Sequence, residues 1–305
     1  MAASLEVGGV GEASRRVHAY WALAKPRIVG LLLVTTVPAM ILAAGGMPPG
    51  WLVIATVAGG ALAAGGANAI NCYLDRDIDA VMRRTHRRPL PAGEIEPGPA
   101  LAFGIGLSAS GVALLAVAVN PLAAALTAGA NLFYVLVYTM WLKRRTPQNI
   151  VIGGAAGAVP PVVGWAAVTG RVGLPAVLMF GIVFLWTPMH FWALSLRYAD
   201  DYRAAGVPML PVTDGRSETT RRMLRYAVAV AATSIALGPV ARLGVLYDAL
   251  AVGLSAMVVV DAAKLRRTRA PAAELRVFKR SNVYLAALFA AMAADVLVRS
   301  SVGRT

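Results

Sequence analysis

The chain has 305 residues, of which 58% are hydrophobic and 14% are charged, whereas a soluble domain carries about 25% charged residues. Its mean hydropathy of +0.65 is too high for a soluble protein and predicts a membrane protein surrounded by a lipid bilayer. The net charge of +14 does not indicate a nucleic-acid partner, because the basic residues are confined to short segments between long apolar stretches. The single cysteine, Cys72, excludes a disulfide within the chain.

In chain order, residues 1–27 contain no apolar core, so we expect a loose N-terminal tail and no secretory signal. Two uncharged stretches follow, 28–74 and 98–142, and each is interrupted once by glycine and proline or by an Asn-Pro turn. About 20 apolar residues cross a bilayer, so each stretch predicts two spans. The remaining spans are predicted near 146–170, 172–196, 226–241, 243–260 and 281–298.

The predicted fold is therefore all-α: a polytopic membrane protein with about nine transmembrane helices. We expect one membrane-embedded domain over residues 28–300, followed by a short C-terminal tail at 301–305. With the N-terminus in the cytoplasm and the C-terminus outside, 25 of the 29 Lys and Arg residues lie on the cytoplasmic side. This is the bias that the positive-inside rule describes, and it sets the predicted orientation.

The cytoplasmic end of the second span carries the most informative segment. Asn71, Asp75 and Asp79 are four residues apart, so on a helix they form one stripe. Two carboxylates at this spacing repel each other unless a cation lies between them, and Mg²⁺ prefers such oxygen ligands. Arg84 and Arg88 follow, and guanidinium groups bind phosphate oxygens as a fork. The segment predicts an Mg²⁺–diphosphate site, although charged cytoplasmic loops are often simply solvated.

A second acidic pair, Asp200 and Asp201, follows the sixth span and faces the same compartment. We therefore expect one active site between the two clusters, with two metal ions on one diphosphate. Asn68 lies in the same membrane helix as the first cluster, and polar groups at that depth are costly and usually functional. His190 has three open interpretations: an iron ligand, a proton donor, or a hydrogen bond within the bundle.

A third cluster follows the fourth span and consists of Lys143, Arg144 and Arg145, with Tyr138 just before it. Its cations could help to neutralise a diphosphate. They could equally be topology signals, and for Arg145 that interpretation is the stronger one.

These segments together resemble the UbiA-type membrane-embedded prenyltransferases, and within them the branch whose acceptor is haem. The resemblance rests on Asn68–Gly93, which contains the sequence Arg-Thr-x-x-Arg-Pro-Leu, and on His190–Pro211. It covers most of the chain from Lys25 onward, and the two motifs are specific. Many family members have a second motif of the form Asp-x-x-x-Asp, whereas Ala205 stands four residues after Asp201 here. The ligands of a second metal are therefore open.

The resemblance implies a nine-helix bundle with a central cavity open to the lipid, in the bacterial inner membrane. It implies transfer of farnesyl from farnesyl diphosphate to a vinyl group of haem b, with Mg²⁺ as cofactor and haem b as substrate. The products are haem O and diphosphate, and a haem A synthase could take the haem O. The implied catalytic residues are Asp75, Asp79, Asp200, Asp201, Arg84 and Arg88. The implied substrate-binding residues are Asn68, Asn71, Arg76, Tyr138, Lys143, His190 and Tyr202, and the implied metal ligands are Asn71, Asp75, Asp79 and Asp201.

Two alternatives remain open. A haem or lipid transporter would also have many spans, but it would not need two acidic clusters on one face, and we see no inverted repeat. A related enzyme that prenylates a quinone precursor or a chlorophyll-type ring would use the same diphosphate chemistry. Only His190 and the haem-type second motif argue against that enzyme, and they do so by resemblance.

Overall fold

A computed structural model describes residues 3–268 and 270–302, apart from the side chains of 3–13, 27, 28, 31–33, 271 and 302. The last residues of the predicted C-terminal tail, 303–305, lie outside the described residues. Over the described ranges the regular secondary structure is entirely helical. The helices are α1 Ala3–Ala24, α2 Pro26–Ala44, α3 Gly50–Leu74, α4 Arg76–Val81, α5 Pro97–Ala118, α6 Pro121–Leu132 with a π-helical continuation Phe133–Leu142, α7 Asn149–Gly157, α8 Pro160–Thr169, α9 Leu174–Arg197, α10 Ala199–Ala204, α11 Leu210–Thr213, α12 Gly215–Val240, α13 Val245–Arg267 and α14 Pro271–Val302.

The described part of the chain contains eight helical segments that are long and apolar enough to cross a membrane. They are α3, α5, α6 with its π-helical continuation, α7 with α8, α9, α12, α13 and α14. A shorter apolar stretch, Val34–Ala44, lies within α2, which supplies a ninth helix of the bundle. The prediction of an all-α, multi-pass membrane protein is confirmed.

The N-terminal segment differs from the expected loose tail, because Ala3–Ala24 forms α1. Near the end of this helix Ala19 and Leu23 are buried in one cluster with Cys72 of α3. Residues four apart share one face of a helix, so this short apolar face is enough to dock α1 on the bundle. A face of this kind is easily missed inside a mostly polar segment.

Three of the later helices extend beyond their predicted spans. α12 begins at Gly215, α13 ends at Arg267 and α14 begins at Pro271. The added turns carry Arg and Lys residues, so hydropathy alone detects only the apolar part of each helix. The predicted fifth span is divided into α7 and α8, where Pro160 begins the second helix, as proline favours the first helical position.

Glycine residues allow α3 and α5 to pack backbone against backbone. A Cβ atom on Gly66 would lie 2.4 Å from the Ser108 nitrogen, and one on Gly111 would lie 2.4 Å from the Ala63 nitrogen. In lipid, where apolar side chains gain little by leaving the solvent, such close contact is a main source of helix association. The seam fixes α3, whose other side carries Asn68 and Asn71.

The other half of the bundle is built from α9, α12, α13 and α14 around large buried side chains such as Trp192 and Phe289. Several polar groups within it are paired across helices. The carboxylate of Asp295 accepts a hydrogen bond from the Gly244 nitrogen at the start of α13, at 2.8 Å, where a negative charge also suits the helix dipole. This acidic residue in the last predicted span therefore has a structural partner.

Candidate active site

A cavity of about 350 Å³ lies inside the bundle, bounded by α2, α3, α6, α7, α8 and α9. Its charged residues lie at the end of the bundle where α3 ends, which we call the charged mouth: Lys25, Asp79, Arg84, Arg88 and Lys143. From Asn71 the wall runs along α3 to Thr56, about 22 Å at 1.5 Å a residue. Most of the deeper wall is alanine, glycine and other apolar residues. A charged mouth on a long, mainly apolar chamber suits a ligand with an anionic head and an apolar tail.

The acidic stripe crosses a helix break. α3 ends at Leu74 and the short α4 carries Asp79, but across the break the Asp79 nitrogen still donates to the Asp75 carbonyl oxygen at 2.8 Å. The stripe is thus preserved as the sequence predicts. Asp75 is 0% and Asp79 2% exposed, so both carboxylates need polar partners. Asn71 Nδ2 supplies one, donating to Asp75 Oδ2 at 2.7 Å and to Thr139 Oγ1 at 3.2 Å.

Each buried carboxylate is paired with a cation from another segment. Lys143 Nζ bonds to Asp75 Oδ2, and Arg88 Nη1 lies 2.6 Å from Asp79 Oδ2. Burial is the largest influence on Arg88 and opposes its charge, but the negative groups around it, Asp79 first among them, together raise the pKa of the guanidinium. The third sequence cluster therefore reaches the first through Lys143.

Arg84 differs from these cations because it contacts aromatic rather than acidic side chains. Its Nη2 lies 3.5 Å from the Tyr202 hydroxyl, and its guanidinium carbon is 5.8 Å from the centre of the Tyr198 ring. Among the described residues no carboxylate pairs with Arg84. Tyr202 and Arg84 both line the cavity, so this guanidinium is available to an anion there.

Tyr138 and Asn68 complete the set of predicted residues that line the cavity. Tyr138 has room because its neighbour on α7 is Gly153: a Cβ atom there would lie 2.2 Å from Tyr138 Cδ2. The structure thus brings eight predicted site residues to one chamber, namely Asn68, Asn71, Asp79, Arg84, Arg88, Tyr138, Lys143 and Tyr202. Asp75 lies directly behind them.

Besides Asp75, four predicted residues lie off the cavity wall: Arg76, His190, Asp200 and Asp201. Asp200 has a side chain that is 97% exposed and pairs with Arg203 one turn along α10. Arg76 donates to the Tyr73 carbonyl oxygen at 2.7 Å and lies over the Tyr73 ring. Asp201 is also absent from the wall, but its Oδ2 is buried without a hydrogen-bond partner. Of the second acidic pair, only Asp201 has a buried oxygen without a protein partner.

His190 is also outside the wall, between α9 and α14. Its ring stacks between Trp186 and Phe278, with ring centres 4.2 and 4.4 Å away. Its Nδ1 lies 2.7 Å from Ser281 Oγ, and that hydroxyl donates to the Phe278 carbonyl oxygen. Of the three interpretations left open by the sequence, these contacts fit a hydrogen bond within the bundle.

Sequence reasoning did not assign Lys25 to the site, although the family resemblance begins at this residue. Lys25 lines the charged mouth, and its Nζ donates to Asn71 Oδ1 at 3.0 Å. Tyr134 and Asn131 of the α6 segment also line the cavity and were missed. Their only sequence signal is a polar group inside an apolar span.

The oxygen ligands at the mouth fit a magnesium ion that is shared with a substrate phosphate. Asp75 Oδ1 is buried without a hydrogen-bond partner, and Asn71 and Asp79 lie on the same stripe. Within the part of the chain that the structure describes, no three His, Cys, Asp or Glu side chains form a complete metal site. Mg²⁺ usually keeps only one or two protein carboxylates and takes its other ligands from phosphate and water, so this partial set is compatible with the ion.

Comparison with known proteins decides the family. Residues 32–289 match the model of the UbiA prenyltransferase family. The chain belongs to this family. The relatives include the protoheme IX farnesyltransferase of Parafrankia sp. strain EAN1pec, which is 52% identical over 95% of this chain and 94% of its own. Protoheme IX farnesyltransferase 1 of Saccharopolyspora erythraea is 53% identical over 92% of this chain and 90% of its own.

Solved structures of the family share the fold. A digeranylgeranylglyceryl phosphate synthase has a TM-score of 0.76 at 17% identity, over 92% of this chain and 99% of its own. A UbiA homologue from Archaeoglobus fulgidus, solved with GPP and Mg²⁺ bound, has a TM-score of 0.65 at 17% identity, over 90% and 99% of the two chains. At this identity the likeness concerns the arrangement of helices alone.

Proposed function

We propose that this membrane prenyltransferase transfers the farnesyl group of farnesyl diphosphate to a vinyl group of haem b, giving haem O and diphosphate. The observation that carries the proposal is the charged mouth above a long apolar cavity, which suits a prenyl diphosphate. The acceptor follows from relatives about half identical over nearly the whole chain, which are named protoheme IX farnesyltransferase. A haem A synthase that takes the product is a further proposed partner.

Asn71, Asp75 and Asp79 would hold Mg²⁺, and the orphan oxygen of Asp201 is the candidate ligand from the second motif. When bound, the ion supplies Lewis-acid screening of the charge on the diphosphate. The side chains of the first motif project from one side of the helix, so their oxygens face the same side of the site. Lys143 and Arg88 neutralise the two buried carboxylates, Asp75 and Asp79. These ion pairs allow the carboxylates to remain buried together at the charged mouth.

The cations of the mouth stabilise the leaving group. Arg84, Arg88 and Lys143 can donate to diphosphate oxygens, and such donors act most strongly on charge that develops as a bond breaks. The bond between the first farnesyl carbon and the diphosphate oxygen breaks, and a vinyl carbon of haem forms the new carbon–carbon bond. Water then adds to the remaining cationic carbon and loses a proton, which gives the alcohol of haem O.

The deeper wall would keep water from the farnesyl cation until the vinyl group attacks. Tyr134, Tyr138 and Phe191 line the chamber beyond the mouth, and their rings exclude water while offering a polarisable surface. Asn68 lies on α3 one turn before Asn71, where it can orient the substrate beside the reacting carbon. These residues are the substrate-binding part of the proposal.

The proposed location is the bacterial inner membrane, with the N-terminus in the cytoplasm and the charged mouth facing the same compartment. The concentration of Lys and Arg on the segments around the mouth supports this orientation. Farnesyl diphosphate would then reach the mouth from the cytoplasm, while haem b enters from water or lipid.

The test is turnover by purified protein in lipid nanodiscs supplied with haem b, farnesyl diphosphate and Mg²⁺. We expect release of diphosphate together with a farnesylated, hydrated haem, and loss of both when EDTA removes the metal. Diphosphate release with unmodified haem would redirect the acceptor to a quinone-type ring. No diphosphate release from folded protein would contradict the prenyltransferase mechanism itself.

A further inference from the structure

Lys25 has three features that the proposed mechanism does not use: a strained backbone conformation, a side chain that lines the cavity, and an ammonium group with unused hydrogen-bond donors. It lies between α1 and α2 in the left-handed region, with φ 51° and ψ 59°. The position after a helix C-terminus that adopts this conformation is usually glycine, because a Cβ atom is strained there. The chain contains 30 glycine residues but has lysine at this point. A strained non-glycine residue that the surroundings hold in place is often a functional one.

The surroundings do hold Lys25 in place. Near the end of α1, Leu23 is 0% exposed in the cluster shared with Cys72 of α3. Ala24 reaches the same helix, since a Cβ atom on Gly65 would lie 3.4 Å from Ala24 Cβ. The Val29 nitrogen donates to the Lys25 carbonyl oxygen, which starts α2 directly after the turn. These contacts aim the lysine side chain at the cavity.

The ammonium group has unused hydrogen-bonding capacity. It donates to Asn71 Oδ1 at 3.0 Å, whereas an ammonium has three donors. Lys143 and Arg88 each have a carboxylate partner, but no described carboxylate pairs with Lys25. A charged group beside a largely apolar chamber is costly without an opposite charge, so an anion is the natural missing partner.

Resting on the proposed function, we propose that Lys25 is a substrate-binding residue whose ammonium receives an oxyanion of a bound substrate at the charged mouth. The oxyanion is either a phosphate oxygen of the prenyl donor or a carboxylate of the acceptor. The same ammonium group also orients Asn71 through its hydrogen bond. Binding of the oxyanion by Lys25 is therefore linked to the position of the stripe formed by Asn71, Asp75 and Asp79. The alternative is a purely structural role, in which the Lys25 side chain only connects the turn between α1 and α2 to Asn71.

Lys25→Met removes the charge but keeps a long side chain, and Lys25→Arg keeps the charge. A hydrogen bond to a charged group supports a loss of about ten- to a hundredfold in affinity for one substrate in Lys25→Met, with partial recovery in Lys25→Arg. Binding of inorganic diphosphate and of haem b is measured separately in nanodiscs, alongside KM for each substrate. Weaker diphosphate binding identifies the phosphate as the oxyanion, and weaker haem binding identifies the carboxylate.

Backbone strain is separated from charge by a matched pair of glycine variants. Arg242, at φ 53°, is the other described non-glycine residue in the left-handed region, and it is exposed in the α12–α13 turn away from the cavity. Lys25→Gly and Arg242→Gly both relieve strain, so neither should unfold the protein, but only Lys25→Gly should lose affinity. Unchanged binding of both probes in Lys25→Met and Lys25→Gly overturns the inference. Because binding is measured without turnover, a wild-type protein that binds but does not farnesylate haem contradicts the proposed function alone.

Discussion

At the scale of single residues, two carboxylates of α4 have different environments. Asp79 is buried at the cavity beside Arg88, whereas the Asp77 side chain is 62% exposed and pairs with Arg144. The hydrogen bond from Arg144 lowers the pKa of Asp77 to about 2, so this carboxylate remains charged throughout the pH range of any ordinary assay. Only one of the two can reach a ligand in the cavity.

Asp79→Asn is therefore expected to reduce turnover by at least about a hundredfold, since it removes both a proposed metal ligand and the partner of Arg88. Asp77→Asn, two residues away on the same short helix, should keep turnover within about threefold because an exposed ion pair contributes little. Asp75→Asn should behave as Asp79→Asn does. Each variant is assayed for haem farnesylation at matched amounts of monodisperse protein. Near-normal turnover in Asp79→Asn would refute the metal assignment.

His190 gives a prediction in the opposite direction. His190→Phe keeps a ring between Trp186 and Phe278, so the variant should fold and its haem complex should keep the Soret band of the wild type. His190→Ala removes the stacked ring and should lower the free energy of unfolding by about 2–4 kcal/mol, again without moving the band. Absorbance spectroscopy of haem-loaded protein checks both. A shifted band in His190→Phe would show that the imidazole ligates iron after all.

The first acidic stripe could be predicted because it depends on local spacing. Residues four apart stay on one side even across the break at Asp75. The second pair could not be resolved in this way, since adjacent helical residues point about 100° apart and Asp200 therefore leaves the site that Asp201 approaches. Lys25 depends on how α1 docks on α3, which no local pattern encodes.

At the scale of helices, the contact of α3 with α5 controls the shape of the cavity. A Cβ atom on Gly111 would meet the backbone of Ala63 at 2.4 Å, whereas one on Gly106 in the same helix would meet nothing within 4 Å. The two glycines therefore provide a matched pair of substitutions. The sequence contains 30 glycine residues, and only the structure shows which of them make the contact.

Gly111→Ala should push α3 and α5 apart and lower stability by about 1–3 kcal/mol, which corresponds to a fall of roughly 2–10 °C in the unfolding temperature. Gly106→Ala should leave the temperature nearly unchanged. Thermal unfolding in nanodiscs measures both variants. Equal behaviour of the two would mean that the helix seam does not support the fold as described.

At the scale of the whole molecule, hydropathy predicts the all-α membrane fold because long apolar helices are the direct consequence of a bilayer. It does not predict the ends of α12, α13 and α14, since their polar turns leave the apolar region. The orientation remains a prediction that rests on the distribution of Lys and Arg. The orientation of the chain decides which compartment supplies farnesyl diphosphate to the charged mouth.

Single cysteine residues test this orientation in a Cys72→Ala background. Arg203 in α10 and Arg171 between α8 and α9 are both exposed. In intact spheroplasts, a membrane-impermeant maleimide should label Arg171→Cys. It should label Arg203→Cys only after the membrane is permeabilised. The reverse pattern would place the charged mouth outside the cell.

The most direct measurement of the central claim is mass spectrometry of a reaction that offers haem b and a quinone precursor together. The two acceptors compete for one supply of farnesyl diphosphate and Mg²⁺, in membranes containing either the wild-type protein or Asp79→Asn. We predict that the wild type gives haem carrying one farnesyl group and one added water, that the quinone precursor stays unmodified, and that Asp79→Asn gives neither product. Farnesylated quinone with unmodified haem, or equal haem product from both proteins, would contradict the account.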